Sequence, residues 1–419
     1  MEPTLGWVLL SRDALKRAED HLRDGEQGVR DEIGFLTLHQ AYAERFFPGT
    51  SVLQTRLRYI LFVPWHYNDA LKNPGRLSVS KFIQEQERLL AKRLKDSYEQ
   101  NGADGDGLGI IGRRAYPNLA AQPPSMIYWT ALRTWGILRP LNDGSLPSRA
   151  TAHRLLTHRQ SKQGRFIVRD DDKTPLDDDA HLFISLPGPP EAWNNAAWPI
   201  HFDLTREEKN FLRRQLSGIQ RPNEAGSQSL LARLVEKNMR VFELPAAWHR
   251  QIRRVADTED QAALERAGYA SSLAAIGRAV YAALVEQICE QWDQRPVSSE
   301  HRDWLTAVIA DHKVNALRLA IDAIPDDAPN IIGTSILEVL RETQHWLANN
   351  RDAKPLDLLD LFRQVEVSRK GNRARLAQTL TAKERRLEWS NQDFPLAAPL
   401  HYRWPTVKRL LRDLEETDE

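Results

Sequence analysis

Three stretches of the sequence combine basic with aromatic residues, the combination that contacts phosphate and stacks on bases. The first covers residues 46–65 and reads FFPGTSVLQTRLRYILFVPW. Its Pro-Gly pair predicts a turn, after which Thr50 or Ser51 can begin a helix. That helix would carry Arg56 and Arg58 within an apolar segment. Two interpretations stay open: these arginines contact an anion such as phosphate, or they tie a loop or an acidic side chain to the core.

The second stretch covers residues 123–138 and reads PPSMIYWTALRTWGIL. Ser125 is predicted to cap a short helix that ends at Gly136. A short helix with a glycine stop and an apolar exit resembles the end of the recognition helix in a winged helix-turn-helix. In that arrangement four side chains would contact nucleic acid: Tyr128, Thr130, Arg133 and Arg139. The alternative is a buried helix, which the crowding of apolar residues in this stretch favours.

The third stretch is the most basic of the three. Between residues 361 and 390 the chain carries eight Lys or Arg against three Glu. Phosphate contact is one interpretation, and a solvated helix face is the other. The candidate contacts in this stretch are Arg369, Lys370, Arg373 and Arg375. Further along the chain, Arg403 stands between Tyr402 and Trp404, where it could add a stacking or cation–π contact.

No residue pattern points to catalysis, to a cofactor or to a metal ion. The single cysteine, Cys289, follows apolar residues at helical spacing and is expected to be a core thiol. The GLGIIG run at 107–112 follows a polar turn rather than a strand, so we expect a loop and not a dinucleotide site. The aspartate runs at 170–172 and 177–179 lack calcium-loop spacing and are expected to be solvated. We therefore predict no catalytic residues, no cofactor and no metal ligands.

The overall charge gives no sign of a nucleic-acid partner. The chain of 419 residues carries 58 Lys or Arg and 57 Asp or Glu, a formal net charge of +1. Such a balance excludes a bulk basic field but permits local basic patches. The N-terminus does not read as a signal peptide, and no apolar run approaches membrane-spanning length. We therefore expect a cytoplasmic protein without membrane contact.

Helical periodicity predicts a mainly α, multi-helical fold of two or three packed domains, with a possible winged-helix-like element in the N-terminal part. Strand signals are short and confined to 165–168 and 182–184. The better-defined predicted helices begin near Ser11, after Ser80 and after Thr205, and cover 273–292, 299–321, 334–347 and 405–414. The predicted division is an N-terminal helical domain at 1–140, an acidic linker or loop at 141–180, a middle helical domain at 181–295, and a C-terminal helical domain with the basic patch at 296–419.

Taken together, these stretches resemble a bacterial family known only as a domain of unknown function. The resemblance rests on FPGTS, QTRLRYILFVPW, PPSMIYWTALRTWGIL, RKGNRARL and the terminal YRW. It implies no activity that can be transferred to this chain. It implies a nucleic-acid context, such as phage defence, only because genes of this family lie near phage-defence and mobile-element loci. Three hypotheses follow: a non-enzymatic accessory protein that contacts nucleic acid and a partner protein, a helical scaffold or adaptor without nucleic-acid contact, and an enzyme of unrecognised type.

Overall fold

All regular structure is helical in the residues that the computed structural model describes. Those residues are 32–72, 77–102, 105–162, 181–195, 198–224, 226–329, 331–349, 354–389 and 394–415. Within them the only β pairing is two isolated antiparallel bridges, Leu138 with Phe183 and Gln220 with Gln228. The mainly α prediction is therefore confirmed. The strand signal at 182–184 corresponds to one of these bridges, and the signal at 165–168 and the helix after Ser11 lie outside the described residues.

Seventeen α-helices are found in these described ranges. They are α1 Phe35–Phe46, α2 Tyr59–Lys72, α3 Val79–Gln100, α4 Pro124–Ile127, α5 Trp129–Thr134, α6 Arg149–Lys162, α7 Glu191–Asn194, α8 Arg206–Ser217, α9 Leu230–Glu236, α10 Arg250–Arg253, α11 Thr258–Gln291, α12 Glu300–Leu317, α13 Ile324–Asp327, α14 Thr334–Asn349, α15 Leu359–Lys370, α16 Leu380–Leu387 and α17 Trp404–Arg412. Short 3₁₀ helices cover Asp106–Leu108, Ile321–Ala323, Pro355–Leu358 and Gly371–Arg373.

The chain forms two compact units. Unit 1 consists of Phe47–Leu244 and the C-terminal segment that begins at Arg403, so it holds α2–α9 and α17. Unit 2 consists of Pro245–Tyr402 and the segment that ends at Phe46, so it holds α1 and α10–α16. Residues on both sides of the predicted linker at 141–180 belong to unit 1. The predicted three-domain division stays a prediction.

Unit 1 is built around α2, which is apolar on every face. Its residues from Tyr59 to Tyr67 are all buried, as expected for a helix without a polar face. Aromatic rings pack against it: the Tyr59 ring lies 5.4 Å from that of Tyr128 and 5.3 Å from that of Phe202. The predicted helix start at Thr50 or Ser51 is wrong. Thr50 instead donates its hydroxyl to the Phe47 carbonyl at 2.6 Å, which closes a turn, and α2 begins only at Tyr59.

Unit 2 is built around α11, a helix of 34 residues whose first turn is capped by the Asp257 carboxylate. Alanine and glycine residues on α11 let neighbouring elements approach this helix closely, and α12 packs along it. Cys289 is fully buried on α11, as predicted. By length and composition this helix could cross a membrane, but 89% of its most apolar window is buried inside the protein, which is typical of a core helix.

Helix starts follow local capping chemistry. The predicted box at Thr205 and Glu208 is confirmed, since each side chain bonds the backbone of the other residue. The cap of α3 is Ser78 rather than Ser80, because the Ser78 hydroxyl accepts the Lys81 amide hydrogen. The helix expected at 273–292 begins earlier, at Thr258, because Asp257 supplies the cap.

Gly277 provides a test of the close approach in unit 2. A Cβ atom added there would overlap the ring of Phe35, which is 2% exposed. We expect Gly277→Ala to destabilise the protein by about 1–3 kcal/mol, despite a gain in helix propensity of roughly 1 kcal/mol. Chemical denaturation measures the change. Gly188→Ala, in an exposed loop, is the control, because no atom lies within 4 Å of the added Cβ. An equal effect of both substitutions would contradict the packing described.

Candidate nucleic-acid interface

The first two motif stretches pack against each other in unit 1. The Trp135 indole nitrogen donates to the Pro48 carbonyl at 3.0 Å. Gly49 lies beneath that indole, and a Cβ there would stand 2.7 Å from the indole nitrogen. Arg403 of the YRW motif joins the same assembly, because it donates to the Thr50 carbonyl at 2.7 Å. The FPGTS residues thus serve the internal architecture of unit 1.

Arg56 is engaged inside unit 1. Its guanidinium forms an ion pair with Asp413 at 2.9 Å and lies over the Phe202 ring, 4.7 Å from the centroid. The same carboxylate accepts the backbone amide hydrogen of Leu57 at 2.7 Å. Burial raises the pKa of Asp413, while Arg56 and the Leu57 amide oppose that rise. This contact holds the segment before α2 against the end of α17.

Arg58 is more deeply enclosed, with only 5% of its surface exposed. Its guanidinium pairs with Glu208 at 2.8 Å and donates to the His201 carbonyl at 2.8 Å. Glu208 also caps α8 through the Thr205 backbone, so one carboxylate serves two contacts. Of the two interpretations that the sequence left open for Arg56 and Arg58, the geometry favours the structural tie.

The third stretch, in unit 2, uses much of its positive charge internally. Lys370 and Arg375 both pair with Glu32. Arg386 is 2% exposed and pairs with Asp293 at 2.7 Å. Two more arginines pair with carboxylates three residues away: Arg363 with Asp360 and Arg385 with Glu388. Arg369 and Arg373 are exposed, the first near the end of α15 and the second in the following 3₁₀ turn.

The second stretch forms two very short helices, α4 and α5. Ser125 does not cap a helix; it is buried within α4, where its amide donates to Glu87 at 2.5 Å. Tyr128 is fully buried, and its hydroxyl contacts the backbone of Thr55 and Arg56. It is therefore not available to a ligand. The likeness of this stretch to a winged helix stays a prediction.

Arg133 and Arg139 differ from the other candidate arginines. Both are exposed, and neither has a carboxylate partner among the residues described. Arg133 lies in the last turn of α5. Arg139 follows the bridge between Leu138 and Phe183, where its amide donates to the Leu182 carbonyl at 2.9 Å. The backbone around both residues is thus fixed while their side chains face solvent.

Helix α6 adds basic residues that the sequence analysis missed. It carries Arg149, Arg154, Arg159 and Lys162 with two histidines and no acidic residue. Between residues 130 and 162 there are six Lys or Arg against one Asp. The sequence alone gives this charge count. The predicted acidic linker at 141–180, however, separated the arginines of α6 from Arg133 and Arg139. Arg154 is exposed, and its side chain donates to the Thr151 hydroxyl at 3.3 Å rather than to a carboxylate.

Tyr67 of α2 brings these elements together. Its ring centroid lies 5.3 Å from Trp129 of α5, 5.5 Å from His153 of α6 and 5.8 Å from Phe183. Its hydroxyl also lies 2.8 Å from the His153 Nε2 atom. The basic residues beside these rings therefore share one region of unit 1. We call the set Arg133, Arg139, Arg149 and Arg154 the α5–α6 basic face.

A buried carboxylate lies behind this face. Glu87 of α3 is 4% exposed and accepts the Ser125 amide hydrogen, and Arg149 reaches the Ser125 hydroxyl at 3.4 Å. Burial raises the pKa of Glu87 to about 7, although Ser125 and Arg149 oppose the rise. The hydrogen bond from Ser125 ties α4 to this carboxylate. No cluster of three or more potential metal ligands occurs in the described part of the chain.

Unit 1 is helical, and exposed arginines lie on α5, on α6 and beside the bridge segment. The chain belongs to a family of unknown function, DUF6361, whose model matches residues 3–307. The resemblance to an uncharacterised family is therefore confirmed. No curated protein and no solved structure matches the chain.

Arg58 and Arg133 give opposite expectations for stability. Arg58→Ala leaves the Glu208 carboxylate buried without its partner, so we expect a loss of about 3–5 kcal/mol in the free energy of unfolding. Arg133→Ala removes an exposed side chain that pairs with no carboxylate in the described residues, and its stability should stay within about 0.5 kcal/mol of that of the unmodified protein. Urea denaturation of both variants makes the comparison. Equal stability of the two variants would contradict the structural role assigned to Arg58.

The buried carboxyl group of Glu87 leads us to expect that the stability of the protein depends on pH. Its carboxyl group has an ordinary pKa of 4.5 and a folded-state pKa of about 7, so the folded state binds the proton more tightly than the unfolded chain. Stability from this group is therefore present below about pH 4.5 and is lost as pH rises to about 7, by roughly 3 kcal/mol at most. Glu87→Gln should remove this loss, because the amide oxygen still accepts the Ser125 hydrogen.

Glu85 on the same helix is the matched control. An ion pair with Arg88 lowers the pKa of Glu85, so this group causes no loss of stability as pH rises. We expect Glu85→Gln to keep the decline seen in the unmodified protein when unfolding is measured as a function of pH. A Glu87→Gln variant with an unchanged decline would show that another group causes it.

Proposed function

We propose that this protein is a non-enzymatic accessory component of a bacterial DNA-associated system, for which phage defence is one setting, and that its α5–α6 basic face binds the nucleic-acid backbone. The observation that carries the proposal is the accumulation of arginines without acidic residues on α5, α6 and the bridge segment. Phosphate contact needs accessible cations that are not already neutralised. The partner-protein contact expected from the sequence stays a prediction.

Comparison of the basic regions supports this choice. Arg56, Arg58 and Arg375 pair with carboxylates of their own unit, so release of these side chains to a ligand would leave buried acids behind. Arg133, Arg139 and Arg154 face no such cost, because no carboxylate pairs with them in the described ranges. Rigid backbone also favours this face, since less conformational entropy is lost when a ligand binds to residues that are already ordered.

Aromatic residues behind the face are buried and do not offer stacking surfaces. Trp129 is 7% exposed, and Tyr67 is 1% exposed. The face therefore presents charge without exposed rings, which favours contact with phosphates over the reading of unstacked bases. We expect binding to duplex DNA with little dependence on sequence and with a steep dependence on salt.

Fluorescence anisotropy with a mixed-sequence duplex tests this proposal. The variant combines Arg133→Ala, Arg139→Ala and Arg154→Ala. We expect affinity at low salt to fall by about tenfold or more, and the slope of log affinity against log salt to fall by up to about 2.7, since each duplex phosphate contact contributes about 0.9.

A second triple variant controls for the loss of charge. It combines Arg250→Ala, Arg254→Ala and Arg318→Ala, three exposed arginines of unit 2 that pair with no carboxylate in the described residues. This variant should bind the duplex as the unmodified protein does. Two results would overturn the proposal: no binding by the unmodified protein at low salt, or equal weakening by the two triple variants.

A further inference from the structure

The α5–α6 basic face has a buried carboxyl group on its inner side. Glu87 of α3 is 4% exposed. Its Oε1 atom accepts the Ser125 amide hydrogen at 2.5 Å, and its Oε2 atom lies 3.3 Å from the Ser125 hydroxyl oxygen. Arg149 of the face donates to the same hydroxyl oxygen at 3.4 Å. One serine therefore connects the interior carboxyl group with a cation of the face.

The positive charge that acts on Glu87 comes from Arg149. The Arg149 side chain is partly exposed, so it stands between the buried carboxyl group and an anion bound at the face. A phosphate that pairs with this guanidinium screens its attraction for Glu87 and places a negative charge nearby. Both changes disfavour the ionised form of the carboxyl group.

The polar groups that α2 and α6 add around Glu87 supply no further countercharge. Tyr59 and Tyr67 of α2 interact with it electrostatically, and burial raises the pKa of both hydroxyl groups, so both are neutral at neutral pH. His153 of α6 contacts Tyr67, with its Nε2 atom 2.8 Å from that hydroxyl oxygen. Burial and the charge of Arg149 lower the pKa of the His153 imidazole.

Helix α3 supplies no countercharge to Glu87 either. Its other buried residues are uncharged: Val79, Ile83, Leu90, Ala91, Leu94 and Ser97. Arg88, the next residue along the helix, pairs with Glu85. Among the residues described, the ionisation of Glu87 therefore depends on its burial, on Ser125 and on Arg149. Burial raises the pKa of Glu87 to about 7, so the neutral and the ionised form coexist at neutral pH.

We propose that phosphate binding at the α5–α6 basic face is coupled to protonation of Glu87, so that the face binds duplex DNA more tightly when this carboxyl group is neutral. This coupling presupposes the proposed function of the face and adds its regulation by pH. Coupling between two sites is reciprocal: the bound phosphate favours the neutral carboxyl group, and the neutral carboxyl group favours the bound phosphate by the same factor. Because binding takes up a proton, affinity falls as pH rises through about 7.

Anisotropy titrations of a mixed-sequence duplex between about pH 6 and pH 9 test the coupling, in phosphate-free buffers of constant low ionic strength. We expect the affinity of the unmodified protein to fall by about five- to tenfold over this range, which corresponds to a coupling factor of about ten. Glu87→Gln keeps a neutral group that accepts the Ser125 hydrogen. Its affinity should therefore stay at the level that the unmodified protein reaches at the acidic end of the range. Glu85→Gln, on the same helix, is the matched control and should show the decline of the unmodified protein.

Calorimetry counts the protons directly. Titrations with the duplex at about pH 7.5, in two buffers that differ in ionisation enthalpy, give the number of protons taken up per protein bound. With a coupling factor of about ten, the unmodified protein should take up about half a proton more than Glu87→Gln does. Equal proton uptake by the two proteins would overturn the coupling.

Histidines of α6 are the competing explanation, because imidazole groups also gain positive charge as pH falls. A variant that combines His153→Gln with His158→Gln should keep the decline above about pH 7. Loss of that decline in the histidine variant, or an undiminished decline in Glu87→Gln, overturns the coupling and leaves the proposed function in place. Absence of duplex binding at every pH overturns both. Should Glu87→Gln fail to fold, proton uptake by the histidine variant supports the coupling, and its absence overturns it.

Discussion

A guanidinium group removed from water must keep a partner, and unit 1 is organised by that requirement. Between the FPGTS turn and α2 the chain places Arg58 in the interior and Arg56 at its edge. Glu208 of α8 and Asp413 after α17 supply the carboxylates. Loss of either partner would leave a charge whose desolvation is no longer compensated. The arrangement of α2, α8 and α17 in this unit therefore depends on two ion pairs.

The need of a buried guanidinium for a partner also separates the arginines with a structural role from those that are available to a ligand. Several residues that the sequence marks as phosphate contacts are paired within their own unit, and their neighbours in the motifs, such as Trp135 and Gly49, complete the packing. The FPGTS, QTRLRYILFVPW and PPSMIYWTALRTWGIL stretches thus take part in the packing of unit 1. The proposed nucleic-acid contact is assigned to exposed arginines that pair with no carboxylate in the described residues: Arg133, Arg139 and Arg154.

Local chemistry in the sequence was sufficient to predict the helical class, the capping box at Thr205 and the burial of Cys289. It failed at Thr50, because a hydroxyl residue after a Pro-Gly turn can cap a helix or close a turn, and the choice depends on distant packing. The partners of Arg56 and Arg58 lie 357 and 150 residues away, and no local pattern encodes them. The composition of α6 shows its basic character. Because aspartate runs follow this helix, the sequence analysis assigned the whole segment to an acidic linker.

Arginine footprinting in the presence and absence of duplex DNA tests the central claim most directly. The protein is modified with phenylglyoxal at low salt, and the modified positions are read by peptide mass spectrometry. The account predicts that Arg133, Arg139 and Arg154 react in the free protein and are protected by DNA, while Arg58 stays unreactive in both states. Protection confined to Arg369 and Arg373, or no protection at any arginine, would contradict it.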